Sequence, residues 1–246
     1  MGDVYTFGPT FRAEDSNTKK HLAEFWMIEP ELAFADLVDD MDCAEEYTKY
    51  CLRYVMANCK EDLEFIDKFA SKGNLAVLEN IVSNDFQRVS YTEAIEQLQK
   101  HSQKAKFEFK PDWGVDLQTE HEKYLCEKVY GKPCIVYNYP KQIKAFYMKS
   151  NDDNLTVKAM DVLVPRIGEL IGGSEREERL DVLEQRIEEC GLNKEDYKTY
   201  IELRKYGTVP HSGFGLGFER LVMLATGMEN IREVIPFPRW PGHAEY

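Results

Sequence analysis

The sequence predicts an α+β fold in which a mostly antiparallel β-sheet is flanked by helices. Three observations support this prediction. Residues 4–31 alternate apolar and polar side chains in two arms around a polar loop, as β-hairpins do. Residues 35–101 contain segments with apolar side chains at helical spacing. Residues 134–217 return to short runs rich in β-branched and aromatic residues, which favour strands.

Length and composition limit the class of protein. With 246 residues the chain can bury one substantial core, and no internal repeat or linker divides it. It has no apolar run able to span a bilayer and no signal-peptide pattern, so we expect a cytoplasmic protein without a membrane partner. The formal net charge of −13 would repel nucleic acid at long range, so any contact with RNA must be local. The six cysteines show neither CxxC spacing nor pairing with histidine, which argues against a zinc site and a disulfide framework.

The predicted hairpin carries charged side chains on its faces. With a side-chain period of two, Arg12 and Glu14 share one face of the first arm, and Phe25 and Glu29 share one face of the second. The loop between the arms holds three donors suited to an anion: Lys19, Lys20 and His21. A short basic loop is more often a solvated turn, and the residues alone leave both interpretations open.

Four helices are predicted next, over residues 35–58, 60–80, 90–101 and 116–130. The second should break near Gly73. Ser90 and Glu93 have the spacing of a capping box at the start of the third. His121, in the fourth, lacks the second histidine of a zinc-protease motif, so we expect it to have a surface or core role.

Four strands should follow, over residues 134–139, 143–149, 156–164 and 169–172. A turn at residues 165–168 would bring Asp161 and Glu169 onto neighbouring strands. Asp161 shares a strand face with apolar residues, where an ionised carboxylate needs a cation. Two oxygen ligands on adjoining strands suit Mg²⁺ held jointly with phosphates. In so acidic a chain, both are also candidates for ordinary surface carboxylates.

Two further helices are predicted before the last strand. Ser174 and Glu177 have capping-box spacing at the start of the first, and Gly191 should end it. The second helix covers residues 194–205, with Asn193 as its N-cap.

Residues 211–224 predict a glycine-rich strand that runs into an apolar helix. Its glycines at 213, 215 and 217 share one face, which leaves flat backbone for a planar ligand. A tight strand–helix packing corner would explain the glycines equally well. Arg220 lies in the first helical turn, where the helix dipole disfavours a cation. This position has no evident structural benefit, which favours a ligand-binding role.

These segments resemble the motifs of one family. The string FRAEDSNT..HLAEFWMIEPE resembles motif 2 of the class II aminoacyl-tRNA synthetases, in their aspartyl/asparaginyl branch, and HSGFGLGFERLVML resembles motif 3. The segment MDVLVPRIGELIGGSEREER resembles the metal-binding and amino-acid-binding strands of that branch. The resemblance covers essentially the whole chain, so residues 1–246 are expected to form one catalytic-type domain.

The resemblance implies nucleotide-binding roles for the matching residues. Arg12 would hold the α-phosphate of ATP, Glu14 an amino group of adenine or of the tRNA 3′ end, and His21 the outer phosphates. Phe25 and Arg220 would enclose adenine between them. Arg12 and Arg220 would also be the catalytic residues. The implied ATP site comprises Arg12, Glu14, His21, Phe25, Glu169, Gly217 and Arg220.

The remaining roles concern the metal and the amino acid. The resemblance implies that Asp161 and Glu169 bind Mg²⁺ and that Arg176 contacts the substrate side chain. A solvated arginine in a helical turn is the alternative for Arg176. Glu29 would accept hydrogen bonds from the amide NH₂ of asparagine and repel aspartate; an exposed strand-end glutamate before Pro30 is the alternative. Lys20 departs from the family pattern, which usually has arginine there, and so lacks the planar fork of guanidinium.

The implied reaction is adenylation of asparagine by ATP, followed by transfer to the acceptor end of tRNA(Asn). Family members begin with an anticodon-binding OB-fold and with motif 1, which builds a homodimer interface. Neither pattern occurs in residues 1–246, so we expect an N-terminally incomplete catalytic domain with weak activity by itself. Two alternatives are an asparagine synthetase-like paralogue and a non-catalytic paralogue that binds a nucleotide or a partner.

Overall fold

A computed structural model describes residues 2–245 and arranges them around a seven-stranded sheet. The spatial order is β1-β2-β7-β6-β5-β4-β3. Every neighbouring pair is antiparallel except β3 and β4. The predicted fold class is therefore confirmed. The strands are β1 Val4–Phe11, β2 Glu24–Ala33, β3 Gln87–Ser90, β4 Cys134–Pro140, β5 Thr156–Val164, β6 Gly168–Glu175 and β7 His211–Gly217.

Helices cover both faces of this sheet. Asp36 starts α1 as an N-cap, with its side chain accepting from the backbone N–H groups of Val38 and Asp39. The capping box predicted for α4 is confirmed, because Ser90 Oγ accepts from the N–H of Glu93 at 3.2 Å. The helices are α1 Leu37–Asn58, α2 Lys60–Phe69, α3 Asn74–Ser83, α4 Tyr91–Ala105, α5 Thr119–Tyr124, α6 Leu180–Glu189, α7 Lys198–Lys205 and α8 Phe218–Thr226.

The predicted hairpin is present, with Thr10 paired to Phe25 and Val4 to Glu31. The predicted break near Gly73 is also present, and it separates α2 from α3. Gly73 has φ +82°, a left-handed conformation that glycine adopts without a Cβ clash.

Alternation along the central strands builds a core on each face. Even-numbered residues of β5, such as Val162, pack into the core beneath α1, α3 and α8. Odd-numbered residues, such as Val157 and Leu163, pack towards α4. Asp161 belongs to the odd-numbered set, as predicted, and it lies where the sheet opens towards the site described below.

The strand predicted at residues 143–149 is wrong. After β4 the chain makes a short 3₁₀ turn at Lys141–Ile143 and then runs irregularly, with an isolated bridge from Met148 to Arg176. β5 already pairs with β4 on one edge and β6 on the other, so no continuous edge is available to this segment. Its side chains are fixed instead by contacts such as Phe146 with Tyr197, whose ring centroids are 4.8 Å apart.

The capping box predicted at Ser174 and Glu177 is also wrong. β6 continues through Glu175, and Ser174 pairs with Ala159 and Gly213 inside the sheet. The carboxylate of Glu177 is fully buried and accepts from Arg179 Nε at 2.7 Å. Sheet pairing on both sides of β6 thus outweighs the local helix-start signal, and α6 begins only at Leu180.

Several boundaries differ from the predictions. β3 was not predicted, because its four residues carry too short a pattern. The helix predicted from residue 116 begins at Thr119 and passes into a π-helical turn at Leu125–Tyr130. The predicted helix 194–205 is a 3₁₀ turn followed by α7, with the Asn193 cap confirmed.

His121 is buried, and its Nε2 is hydrogen-bonded to Phe109 O at 2.8 Å, so it has a core role. Within residues 2–245, no helix is long and apolar enough to cross a membrane.

Candidate active site

One cavity lies on the sheet surface formed by β2, β7 and the start of β6, and it is bounded by the loop between β1 and β2 and by the start of α8. Its base includes the glycine face of β7, where an added Cβ on Gly215 would lie 2.4 Å from Met27 Cε. The absence of side chains there keeps the surface flat. All seven residues of the predicted nucleotide set line this cavity: Arg12, Glu14, His21, Phe25, Glu169, Gly217 and Arg220.

Arg12 and Phe25 form one side of the cavity. The guanidinium carbon of Arg12 lies 5.2 Å from the centroid of the Phe25 ring, within cation–π range. The Arg12 N–H donates to Ala23 O at 3.0 Å and closes the base of the loop between β1 and β2. The hairpin register therefore holds a cation beside an aromatic face, a combination that suits a purine with phosphates.

Arg220 lies in the first turn of α8, as predicted, and points into the same cavity. Its Nη1 donates to Glu169 O at 3.0 Å and lies 3.7 Å from Glu169 Oε2. The negative charge of Glu169 thus partly compensates the positive charge of Arg220, which the helix dipole disfavours at this position. The side chain is 21% exposed, which leaves its guanidinium available to a ligand.

The two predicted metal ligands converge over β6. An added Cβ on Gly172 would lie 3.3 Å from Glu169 Oε1 and 3.5 Å from Asp161 Oδ1, so both carboxylates face the same space. Burial raises the pKa of Glu169, and the charge of Asp161 raises it further. Lys144 Nζ donates to Asp161 Oδ2 at 2.7 Å and supplies a cation there. Sequence reasoning missed Lys144, because its segment was predicted as a strand.

Glu122 is a second residue that the sequence did not indicate. It reaches from α5 to accept the Glu169 N–H at 3.1 Å. Burial, followed by the charge of Glu169, raises the pKa of Glu122 to about 7. The bond fixes the backbone beside a predicted metal ligand. No local pattern around residue 122 could have revealed it, because the contact spans 47 positions.

A second cavity adjoins the first and shares Arg12, Glu169 and Gly215 with it. Glu29 and Arg176 both line this cavity. Glu29 is exposed, and its Oε2 accepts from Thr6 Oγ1 at 3.4 Å. The structure thus brings the two predicted amino-acid-binding residues to one space beside the first cavity.

Arg176 is half-enclosed and pairs with a residue that sequence reasoning left unused. Its Nη2 donates to Glu31 Oε1 at 2.7 Å and its Nη1 to Ser174 Oγ at 2.8 Å. Glu31 lies two residues beyond Glu29 on the same strand face, so its position was available from the hairpin pattern. Arg176 Nε also donates to Glu31 Oε2 at 3.3 Å, so the bidentate ion pair fixes the guanidinium group in the wall of the cavity.

The site's chemistry follows from these groups. Arg12 and Arg220 can neutralise phosphate oxygens, and the paired carboxylates can share a divalent cation with those phosphates. Ser16 Oγ is hydrogen-bonded to His21 Nδ1, but Ser16 does not line either cavity, so this hydroxyl is not presented to a bound substrate. The arrangement suits a reaction between two bound substrates, one in each cavity, stabilised by positioning and charge.

Comparison with known proteins identifies the class. A family model described as tRNA synthetases class II (D, K and N) matches residues 1–241. The chain therefore belongs to the class II tRNA synthetases of the D, K and N group.

Within that group the chain is similar over its whole length to asparagine–tRNA ligases. The one from Protochlamydia amoebophila (strain UWE25) is 61% identical over 246 residues, which are 100% of this chain and 52% of that protein. The chloroplastic/mitochondrial one from Arabidopsis thaliana is 62% identical over 247 residues, covering 43% of its length. The chain thus spans about half the length of the curated relatives it matches.

Solved structures agree with this fold. The asparaginyl-tRNA synthetase from Pyrococcus horikoshii complexed with asparaginyl-adenylate has a TM-score of 0.89 and 41% identity, covering 100% of this chain and 54% of that one. The aspartyl-tRNA synthetase from Entamoeba histolytica has a TM-score of 0.86 at 29% identity, covering 100% and 49%.

Proposed function

We propose that this chain activates asparagine with ATP to form asparaginyl-adenylate and transfers the asparaginyl group to tRNA(Asn). The observation that carries the proposal is the pair of adjoining cavities with a common wall of Arg12 and Glu169. A nucleotide in the first would present its α-phosphate to an amino acid in the second. Similarity to asparagine–tRNA ligases along the whole chain supports asparagine as that amino acid.

In the nucleotide cavity, Phe25 and Arg220 would enclose adenine, and Glu14 would accept from its amino group. Gly217 would leave room for the ring. Arg12 would donate to the α-phosphate, where negative charge grows as the asparagine carboxylate attacks and pyrophosphate leaves. His21 would donate to the outer phosphates: its Nδ1 lies 2.6 Å from Ser16 Oγ, which fixes the ring while its other nitrogen remains available to a phosphate.

The donor set at Asp161 and Glu169 fits Mg²⁺. Two carboxylates facing one space are typical of a magnesium ion that completes its shell with phosphates and water. Among the described residues no cluster of three or more His, Cys, Asp or Glu side chains is arranged to hold a metal. The ion would neutralise phosphate charge, while Lys144 and Glu122 hold the two ligands in place.

In the second cavity, Arg176 would donate to the side-chain amide oxygen of asparagine and Glu29 would accept from its NH₂ group. Glu29 is exposed in the ligand-free structure, and a bound substrate would cover it. Aspartate would then bring a second carboxylate against Glu29, and like charges facing each other in a covered site cost roughly several kcal/mol. A ribose hydroxyl at the tRNA 3′ end would then accept the asparaginyl group. The exposed Lys19 on the neighbouring loop offers a local contact to phosphate in an otherwise acidic protein.

The test is calorimetric binding of non-hydrolysable sulfamoyl analogues of asparaginyl-adenylate and aspartyl-adenylate. We expect the asparaginyl analogue to bind at least about 100-fold more tightly than the aspartyl analogue, as expected for one unpaired like-charge contact. The matched control is Arg53→Ala, an exposed arginine outside both cavities, which should leave both affinities unchanged. Equal affinity for the two analogues, or no binding of either, would overturn the proposal.

A further inference from the structure

Lys20 bridges two parts of the proposed active site. It belongs to the loop between β1 and β2, which also carries Arg12, Glu14 and His21. Its ammonium group donates to Ile167 O in the turn between β5 and β6, and to Thr119 Oγ1 at the start of α5, 3.4 Å away. The turn that receives it leads directly into Glu169.

The rest of this loop is held from the opposite side by the C-terminal segment. Ile231 N–H donates to Lys19 O at 2.9 Å, and Ala23 N–H donates to Arg239 O at 2.7 Å. Arg232 Nη2 donates to Asn17 Oδ1 at 2.5 Å. These bonds leave the side of the loop that faces β5 and β6 to be fixed by Lys20.

The receiving turn is itself tightly packed. Gly168 has φ +85°, and a Cβ there would lie 2.3 Å from Glu122 Oε2 and 3.4 Å from Lys20 Nζ. Glu122 accepts the backbone N–H of Glu169 from the same position. The lysine, the turn and the carboxylate of Glu122 therefore form one contact cluster between the loop and β6.

We propose that Lys20 is a positioning residue that fastens the loop of residues 12–23 to the β5–β6 turn, so that the phosphate ligands of the loop and the carboxylate of Glu169 are aligned before ATP binds. The inference deepens the proposed function, because it names ATP as the ligand for which the loop is organised.

Comparison with the neighbouring Lys19 supports a positioning role for Lys20. Lys19 is 71% exposed at its side chain and lies 3.7 Å from the exposed carboxylate of Glu229, as an ordinary surface lysine does. Lys20 is half-buried and its ammonium group is bonded to Ile167 O; burial lowers its pKa to about 8, against the attraction of Glu122. Lys20 also lines the first cavity, but in the ligand-free structure its ammonium group is already bonded to the β5–β6 turn, as a positioning role requires.

The test is hydrogen–deuterium exchange of the ligand-free chain. Lys20→Met keeps the aliphatic stem and removes the ammonium group, and Lys19→Met is the matched control one residue away. We expect Lys20→Met to exchange about tenfold faster over residues 14–22 and 165–169, as expected for loss of a hydrogen bond to a charged group. Lys19→Met should exchange like the wild-type chain. Unchanged exchange in Lys20→Met would overturn the proposal, whether or not ATP and asparagine bind.

Two further variants separate positioning from direct phosphate contact. Lys20→Arg should restore slow exchange, since guanidinium can donate to the same carbonyl. Thr119→Val removes a partner of Lys20 without touching the nucleotide cavity, and it should raise both loop exchange and the Kd for ATP by about threefold. An effect of Lys20→Met on ATP affinity with no effect of Thr119→Val on either quantity would make Lys20 a phosphate ligand and not a positioning residue.

Discussion

Replacing Asp40 with asparagine tests how the protein interior behind the second cavity is built. Asp40 lies in the first turn of α1, is fully buried, and has no hydrogen-bond partner for either carboxylate oxygen among the described residues. Burial raises its pKa from 3.8 to about 8, against the attraction of Arg176 and with a contribution from Glu31. The carboxyl group is therefore protonated in the folded protein at neutral pH.

The sign and size of the pH effect on the free energy of unfolding follow from proton linkage. Because the folded pKa is raised, the contribution of Asp40 to stability is fully present below about pH 4 and is lost as the pH rises to about 8. Each pKa unit corresponds to about 1.4 kcal/mol, which gives an upper limit of about 4 kcal/mol at pH 7. Entry of water and local relaxation should reduce the measurable effect to about 2 kcal/mol.

The assay is urea unfolding at pH 5, 7 and 8. Asp40→Asn is neutral at every pH, so it should gain stability over the wild type by about 2 kcal/mol between pH 5 and pH 8. Asp62→Asn is the matched control, because Asp62 is an exposed aspartate in the first turn of α2. If the difference between Asp40→Asn and wild type is the same at pH 5 and pH 8, Asp40 is not a buried acid with a raised pKa.

Three other substitutions test the site and its supports. Arg220→Ala should weaken ATP binding measured by calorimetry by about 2 kcal/mol, and unchanged affinity would make Arg220 only a partner of Glu169. Ser90→Ala should lower the free energy of unfolding by about 1 kcal/mol through loss of the capping box, with Ser90→Thr retaining most of it. Gly213→Ala should cost more than about 1 kcal/mol in the same measurement, because its Cβ would lie 2.4 Å from Pro30 O; a neutral effect would contradict the close packing of β2 on β7.

Local patterns predicted much of the fold and the composition of the site. Alternation placed Phe25 and Glu29 on one face of β2, as the structure has them, because strand periodicity fixes side-chain direction once the hairpin is recognised. The first strand was predicted too long: β1 ends at Phe11, so Arg12 and Glu14 reach the cavity from the loop and not from a strand face. The capping box at Ser90 was predictable because both of its hydrogen bonds are local. Arg220 was predicted to bind a ligand because the helix dipole disfavours a cation in the first turn of α8, and no structural benefit was evident.

The wrong and missed predictions have a common physical cause, which is contact between segments that are distant in sequence. Residues 143–149 are rich in strand-forming residues, yet the neighbouring strands β4, β5 and β6 are already paired on both sides, and Lys144 turns inward to pair with Asp161. Ser174 has a helix-start pattern, yet pairing with β5 and β7 extends β6 through it. Glu122 and Lys20 act through partners 47 and 147 positions away, which no window of sequence contains.

The most direct test of the proposed reaction is exchange of labelled pyrophosphate into ATP, measured with asparagine and then with aspartate, for the wild-type chain and for Glu29→Gln. Each rate is expressed relative to the asparagine rate of the wild type, so a low absolute activity does not affect the comparison. We predict exchange that depends on asparagine, with aspartate at least about 100-fold less effective, and a loss of most of that discrimination in Glu29→Gln because repulsion of aspartate is relieved. Exchange supported equally by aspartate in the wild type, or a Glu29→Gln variant that activates asparagine normally and still rejects aspartate, would contradict the assignment of asparagine selection to this site.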